Sequence, residues 1–266
     1  MALKILISSL MKKKFSAKMK FNEAVFLFLM WIIPFSLFGC DGDSSKTASQ
    51  LRHVATYKLS FGEPSGITYS EAENVFWIVS GSDQKIYKTD TTGKILQTLA
   101  YSGDDLEGIT LDRSTRFLWI VEEKKRELLQ LDLNGNILQT SFLPLPGPLN
   151  SGLEGVAQNE LGTLFLLNEK EPGKFIELNP GLTIKSQREI SFASDFSDMV
   201  YSQKEDCFYI LSDESSALYK WSKDKGVLQK FDLPMQKFEG VAINAAADKF
   251  FLVNDKTNEL WIYSLR

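Results

Sequence analysis

From residue 51 to the C-terminus the chain alternates short apolar runs with clusters of Gly, Asp, Asn and Ser. The runs are four to six residues long and rich in aromatic and β-branched side chains, a pattern that predicts strands and turns, with no helical periodicity. One arrangement recurs five times. Each copy opens on a short motif: Ser65-Gly66-Ile67, Glu107-Gly108-Ile109, Glu154-Gly155-Val156, Ser197-Asp198-Met199 and Glu239-Gly240-Val241. The second positions are spaced by 42, 47, 43 and 42 residues. Some ten residues later a denser apolar run follows, as in Phe76-Trp77-Ile78-Val79 and Leu118-Trp119-Ile120-Val121. A third run follows, and in four copies a Gly turn leads to a fourth, as at Gly93-Lys94-Ile95-Leu96.

Four strands per repeat at a period of about 40–45 residues is the signature of a β-propeller blade. The fifth copy stops at Arg266 after its third run, and a strand-like segment, Val54 to Leu59, precedes the first motif. The expected fold is therefore all-β, a five-bladed propeller of four-stranded antiparallel blades over residues 51–266. An N-terminal strand completes the last blade and hides both sheet edges. The fourth copy departs from the others, with Asp198 in place of glycine.

In a four-stranded meander the second strand ends on the face where the first begins. One face of the disc therefore collects Ser65, Glu107, Glu154, Ser197 and Glu239 around the central tunnel. It also collects the loops Ser80 to Asp83, Glu122-Glu123, Asn168-Glu169, Ser212 to Glu214 and Asn254-Asp255. Glutamates converging there repel one another unless protonation or a hard cation neutralises them. Calcium takes six to eight oxygen ligands and needs no His or Cys, whereas magnesium demands a tight octahedron. The competing reading makes these glutamates solvated loop residues, or acceptors for backbone N–H groups at the strand starts.

Charge narrows the function. The first 39 residues carry six lysines and one glutamate, so a chain of net charge −4 has a body of −9. Such a body repels phosphate backbones and argues against nucleic acid as a partner. The single histidine, His53, disfavours Ser-His-Asp and Cys-His catalysis and zinc sites that need two His. Cys207 lies in a strand-like run and reads as a buried free thiol.

Residues 1–39 read as an export signal. Ala24 to Phe38 is a charge-free stretch of 15 residues behind a lysine cluster, interrupted by Pro34. A membrane-spanning helix needs about 20 apolar residues, so a secretory signal fits better; an uncleaved anchor is the alternative. Met11 and Met19 offer shorter leaders. Leu37-Phe38-Gly39-Cys40 resembles a lipobox, with Phe38 bulkier than usual there. Cys40 would then be the acylated N-terminus, and residues 40–50 a flexible tether to the bacterial cell membrane or outer membrane. Asp41 resembles an inner-membrane retention signal.

Several of these motifs together carry a resemblance. Asp105-Leu106-Glu107-Gly108-Ile109 is followed by Trp119 to Glu123, and Leu153-Glu154-Gly155-Val156 by Asn168-Glu169-Lys170. Leu211 to Ser215 and Phe238-Glu239-Gly240-Val241 complete the set. Over residues 51–266 the chain resembles the SdiA-regulated (YjiK-like) family of bacterial envelope propellers. The resemblance implies a five-bladed propeller akin to NHL-repeat propellers, with calcium at a shared site. It points to Glu107, Glu154 and Glu239 as ligands, then Glu123 and Glu169, and implies no defined reaction. The leading functional reading is a lipid-anchored module whose top face binds an unknown protein or small molecule. The alternative is a calcium-dependent lactonase- or esterase-like hydrolase using Asp105, Glu123 or Asp213 as base. A third reading is a structural envelope protein without metal.

Overall fold

The computed structural model describes residues 49–266. The leader, Cys40 and all but the end of the tether lie outside the described residues. Strand β1 (Leu51–Lys58) precedes blade one, which comprises β2 (Pro64–Ser70), β3 (Val75–Ser80), β4 (Lys85–Thr89) and β5 (Ile95–Thr98). Blade two comprises β6 (Leu106–Leu111), β7 (Leu118–Glu122), β8 (Glu127–Leu131) and β9 (Ile137–Phe142). Blade three comprises β10 (Leu153–Gln158), β11 (Leu164–Asn168), β12 (Lys174–Leu178) and β13 (Ile184–Glu189). Blade four comprises β14 (Asp198–Ser202), β15 (Cys207–Ser212), β16 (Ala217–Ser222) and β17 (Gly226–Asp232). The last strands are β18 (Phe238–Ile243), β19 (Lys249–Asn254) and β20 (Glu259–Leu265).

Blade five has the order β18-β19-β20-β1, so the first strand of the chain is the outermost strand of the last blade. It pairs antiparallel with β20 from Leu51 opposite Leu265 to Lys58 opposite Glu259. Gln50 and Arg266 exchange both backbone hydrogen bonds beyond it. The five inner strands β2, β6, β10, β14 and β18 neighbour one another in a closed ring. The five-bladed propeller, closed by its N-terminal strand, is the architecture that the repeat spacing predicts.

The core lies between blades, in five apolar clusters, one for each pair of neighbours. Side chains of β3 show why: Phe76 and Ile78 pack toward blade five, Trp77 and Val79 toward blade two. A strand buried on both faces needs apolar residues at every position, which is why the second run of each copy is unbroken. Outer strands face water, and β13 is mostly exposed. Cys207 is a buried free thiol whose pKa burial pushes up to about 11.

Candidate functional site

The Glu-Gly motif is a β-bulge. Leu106 pairs with Glu122 and Ile109 with Ile120, so Glu107 and Gly108 together oppose the single residue Val121. The same shift falls at Ser65-Gly66, Glu154-Gly155 and Glu239. A bulge bends the strand and re-aims its side chains. The glycine permits the packing: a Cβ on Gly108 would lie 2.2 Å from the Glu154 carbonyl oxygen, and one on Gly66 2.3 Å from that of Glu107. Inner strands therefore meet backbone to backbone.

Blade four differs. Asp198 pairs regularly with Leu211, without a bulge. Its carboxylate lies against the next inner strand, where Oδ2 accepts from Val241 N–H at 2.8 Å and Oδ1 from Met199 N–H at 2.8 Å. Burial raises its pKa well above the usual carboxylate range, against the pull of those two amides. Asp198 thus joins two blades where the other copies bring a glycine close.

At the strand entrances the structure brings the expected residues together. Ser65, Glu107, Glu154, Ser197 and Glu239 all line one cavity of about 280 Å³. The loops after the second strands divide into two columns. The first, Ser80, Glu122, Asn168, Ser212 and Asn254, is fully buried or nearly so. These residues tie the loops down: Asn168 donates to the carbonyls of Ser151, Lys170 and Pro172, and Glu122 accepts from the Tyr101 hydroxyl and Asp104 N–H. The second column, Gly81, Glu123, Glu169, Asp213 and Asp255, turns toward the mouth.

A third column stands two residues before each inner-strand motif: Glu63, Asp105, Gly152, Asp195 and Lys237. Asp105 enters the sequence reading, whereas Glu63, Asp195 and Lys237 do not. Aligning the five repeats exposes the column. Glu63, Asp105 and Lys237 hold φ of 43°, 65° and 72°, a left-handed backbone that is uncommon for residues other than glycine. All three side chains line the mouth.

The carboxylates form three triads, each with oxygens within 4.8 Å of one another: Asp105-Glu107-Glu123, Glu123-Glu154-Glu169 and Glu169-Asp195-Glu214. Shared Glu123 and Glu169 fuse them into one arc across blades two to four. Lysines neutralise its ends. Lys124 is 3.0 Å from Asp105, and Lys170 lies 2.8 Å from Glu169 and 3.1 Å from Glu214. Glu239 falls outside the triads and lies 3.2 Å from Lys237, which also sits 2.7 Å from Asp213. Among the described residues no lysine or arginine forms an ion pair with Glu107, Glu123 or Glu154.

That imbalance moves their pKa values. Burial, then the charges of Asp105, Glu123 and Glu239, hold Glu107 well above the usual range. Burial, then Glu107, Glu123, Glu169 and Glu239, does the same to Glu154. Glu123 is pushed up to about 7 by burial and by Asp105, although it accepts from Gly152 N–H at 2.8 Å. Glu239 also reaches about 7 through burial and Asp213, despite Lys237. His53 lies on outer strand β1, bonded to Thr56 and packed on Trp261.

The fold is shared with distant enzymes. Glutaminyl cyclase from Myxococcus xanthus matches at a TM-score of 0.63 and 12% identity, over 82% of this chain and 97% of that one. A gluconolactonase from Xanthomonas campestris matches at 0.57 and 10%, over 82% and 95%. A streptogramin B lyase matches at 0.50 and 16%, over 82% and 72%. At such identities the likeness covers the fold alone. No curated protein matches the chain. The family model for SdiA-regulated proteins matches residues 53–264, nearly the whole propeller with its acidic mouth, and the chain belongs to that family.

Proposed function

We propose that this propeller is a non-catalytic binding module, anchored to the bacterial envelope through an acylated Cys40. In this reading its mouth holds calcium and offers a protein or small-molecule ligand a docking face. The observation that carries the reading is the pair of triads that share buried Glu123, in which Glu107, Glu123 and Glu154 have no lysine or arginine partner among the described residues. The donor set fits the ion: it is all oxygen, and Asp105 and Glu169 extend it toward the coordination number calcium favours. Glu239 stands outside the three triads, beside Lys237, and is an outlying member of the proposed ligand set.

The alternative hydrolase needs a base at the mouth. Asp105 and Asp213 are paired with lysines, which leaves Glu123, with a pKa of about 7, as the group suited to general base work. A cation in the triad draws that pKa down and removes the base, so the binding module is the better reading. The reading expects no turnover of lactones or aryl esters with calcium present, and turnover abolished by Glu123→Gln would favour the hydrolase instead.

A ligand that binds only the folded state raises the melting temperature. The full chain is expected to melt higher in calcium than in chelator, and Glu154→Gln to abolish most of the difference. Identical melting curves in calcium and chelator would contradict the proposal.

A further inference from the structure

The opposite end of the propeller axis is built differently. There the turns between first and second strands converge, and Arg113, Lys204, Ser202, Asn244 and Ala245 line a hollow of about 380 Å³. Among the described residues no aspartate or glutamate lines it, although the chain from Cys40 onward is strongly acidic. Arg113 comes from the β6–β7 turn of blade two, Lys204 from the β14–β15 turn of blade four. Both are exposed, and among the described residues neither forms an ion pair. Lys204 is steadied by the Ala246 carbonyl at 2.7 Å, which uses one of its three N–H groups.

Beneath them lies Ser202, 1% exposed, whose hydroxyl has no hydrogen-bond partner among the described residues. Buried hydroxyls are almost always satisfied, so an orphan one in a lined hollow points to a missing partner. An adjoining hollow of about 340 Å³ shares Arg113, Tyr201 and Gln203 and brings two acids, Asp112 and Glu160. Asp112 is engaged, accepting from Ser114, Thr115 and Gln158, whereas Glu160 stands near the Tyr201 hydroxyl, whose proton goes to Asp206 at 2.9 Å.

We propose that this hollow is a second site, for a phosphate-type oxyanion held between Arg113 and Lys204, with Ser202 completing the donor set. A guanidinium fork matches tetrahedral oxyanions, and an ammonium adds a point charge. The group comes either from free phosphate or from a lipid headgroup. The headgroup is a reasonable source because β1 begins beside the end of β20, on this same face.

The test is calorimetric titration of the full chain with inorganic phosphate and, separately, with glycerol 3-phosphate, the headgroup fragment of anionic lipids. Saturable binding is expected, weakened at least tenfold by Arg113→Gln and by Lys204→Gln and unchanged by Lys230→Gln on the exposed face of outer strand β17. Both basic residues sit in exposed turns, so their replacement leaves the core intact. Tighter binding of glycerol 3-phosphate identifies the headgroup as the source, and equal or weaker binding identifies free phosphate. No saturable heat with either probe, or binding that survives Arg113→Gln, overturns the proposal. Neither result bears on the calcium reading of the opposite face.

Discussion

A methyl group at residue 108 would meet the Glu154 carbonyl at 2.2 Å, and one at 240 the Ser65 carbonyl at 2.9 Å. Such overpacking typically costs about 1–3 kcal/mol, so Gly108→Ala is expected to lower the unfolding free energy by about that much, read as a lower urea midpoint with an unchanged slope. An unchanged midpoint would mean that the inner strands do not abut. The neighbouring glutamates govern pH dependence. Glu123 and Glu239 have folded-state pKa values of about 7 against 4.5 for an ordinary glutamate, so the folded state binds more protons. The stability tied to that protonation is full below about pH 4.5 and lost as pH rises through about 7. In chelator the melting temperature is expected to fall between pH 5 and 8, and Glu123→Gln to flatten that fall. A rise over the interval would contradict the assignment. Residues with depressed pKa, such as Asp112 at about 2, change charge below this window. The five-fold repetition made Glu107, Glu154 and Glu239 legible as a group. Lys237 escaped because its column mixes Glu, Asp, Gly and Lys, so no common chemistry marks it.

Strands that the sequence marks most strongly are those buried on both faces. The unbroken runs of β3, β7, β11, β15 and β19 reflect contact with two neighbouring blades, and they set the repeat unmistakably. Outer strands carry a fainter signal, because water on one side leaves room for polar residues such as those of β13. The closing role of β1 was legible from arithmetic alone: three runs in the fifth copy, and one before the first motif. What the sequence hid was the bulge. A glycine after a glutamate does not disclose that two residues oppose one, and only the register shows why Asp198 fits where the bulge is absent. Removing residues 49–58 should uncover the β20 edge, which is a template for pairing between chains. The shortened chain is expected to melt lower and to self-associate on size exclusion. A monomer of unchanged melting temperature would show that the ring closes without the strand.

At the scale of the whole molecule the propeller has two unlike ends. One gathers carboxylates from the entrances of all five blades into a cavity that, among the described residues, two lysines line. The other presents a small hollow lined by cations without acids. Between them the glycine layer brings the inner strands into backbone contact, so the two ends are separate sites. The acidic total of the body was readable from composition, but its concentration at one mouth follows from meander geometry, which places inner-strand starts and second-strand ends on one face. Crystals of the protein grown with calcium, measured at a wavelength where calcium scatters anomalously, give the most direct test of the central claim. One strong anomalous peak is expected among the carboxylates of Glu107, Glu123 and Glu154. Absence of a peak there, with the three side chains hydrogen-bonded to one another through shared protons, would contradict it.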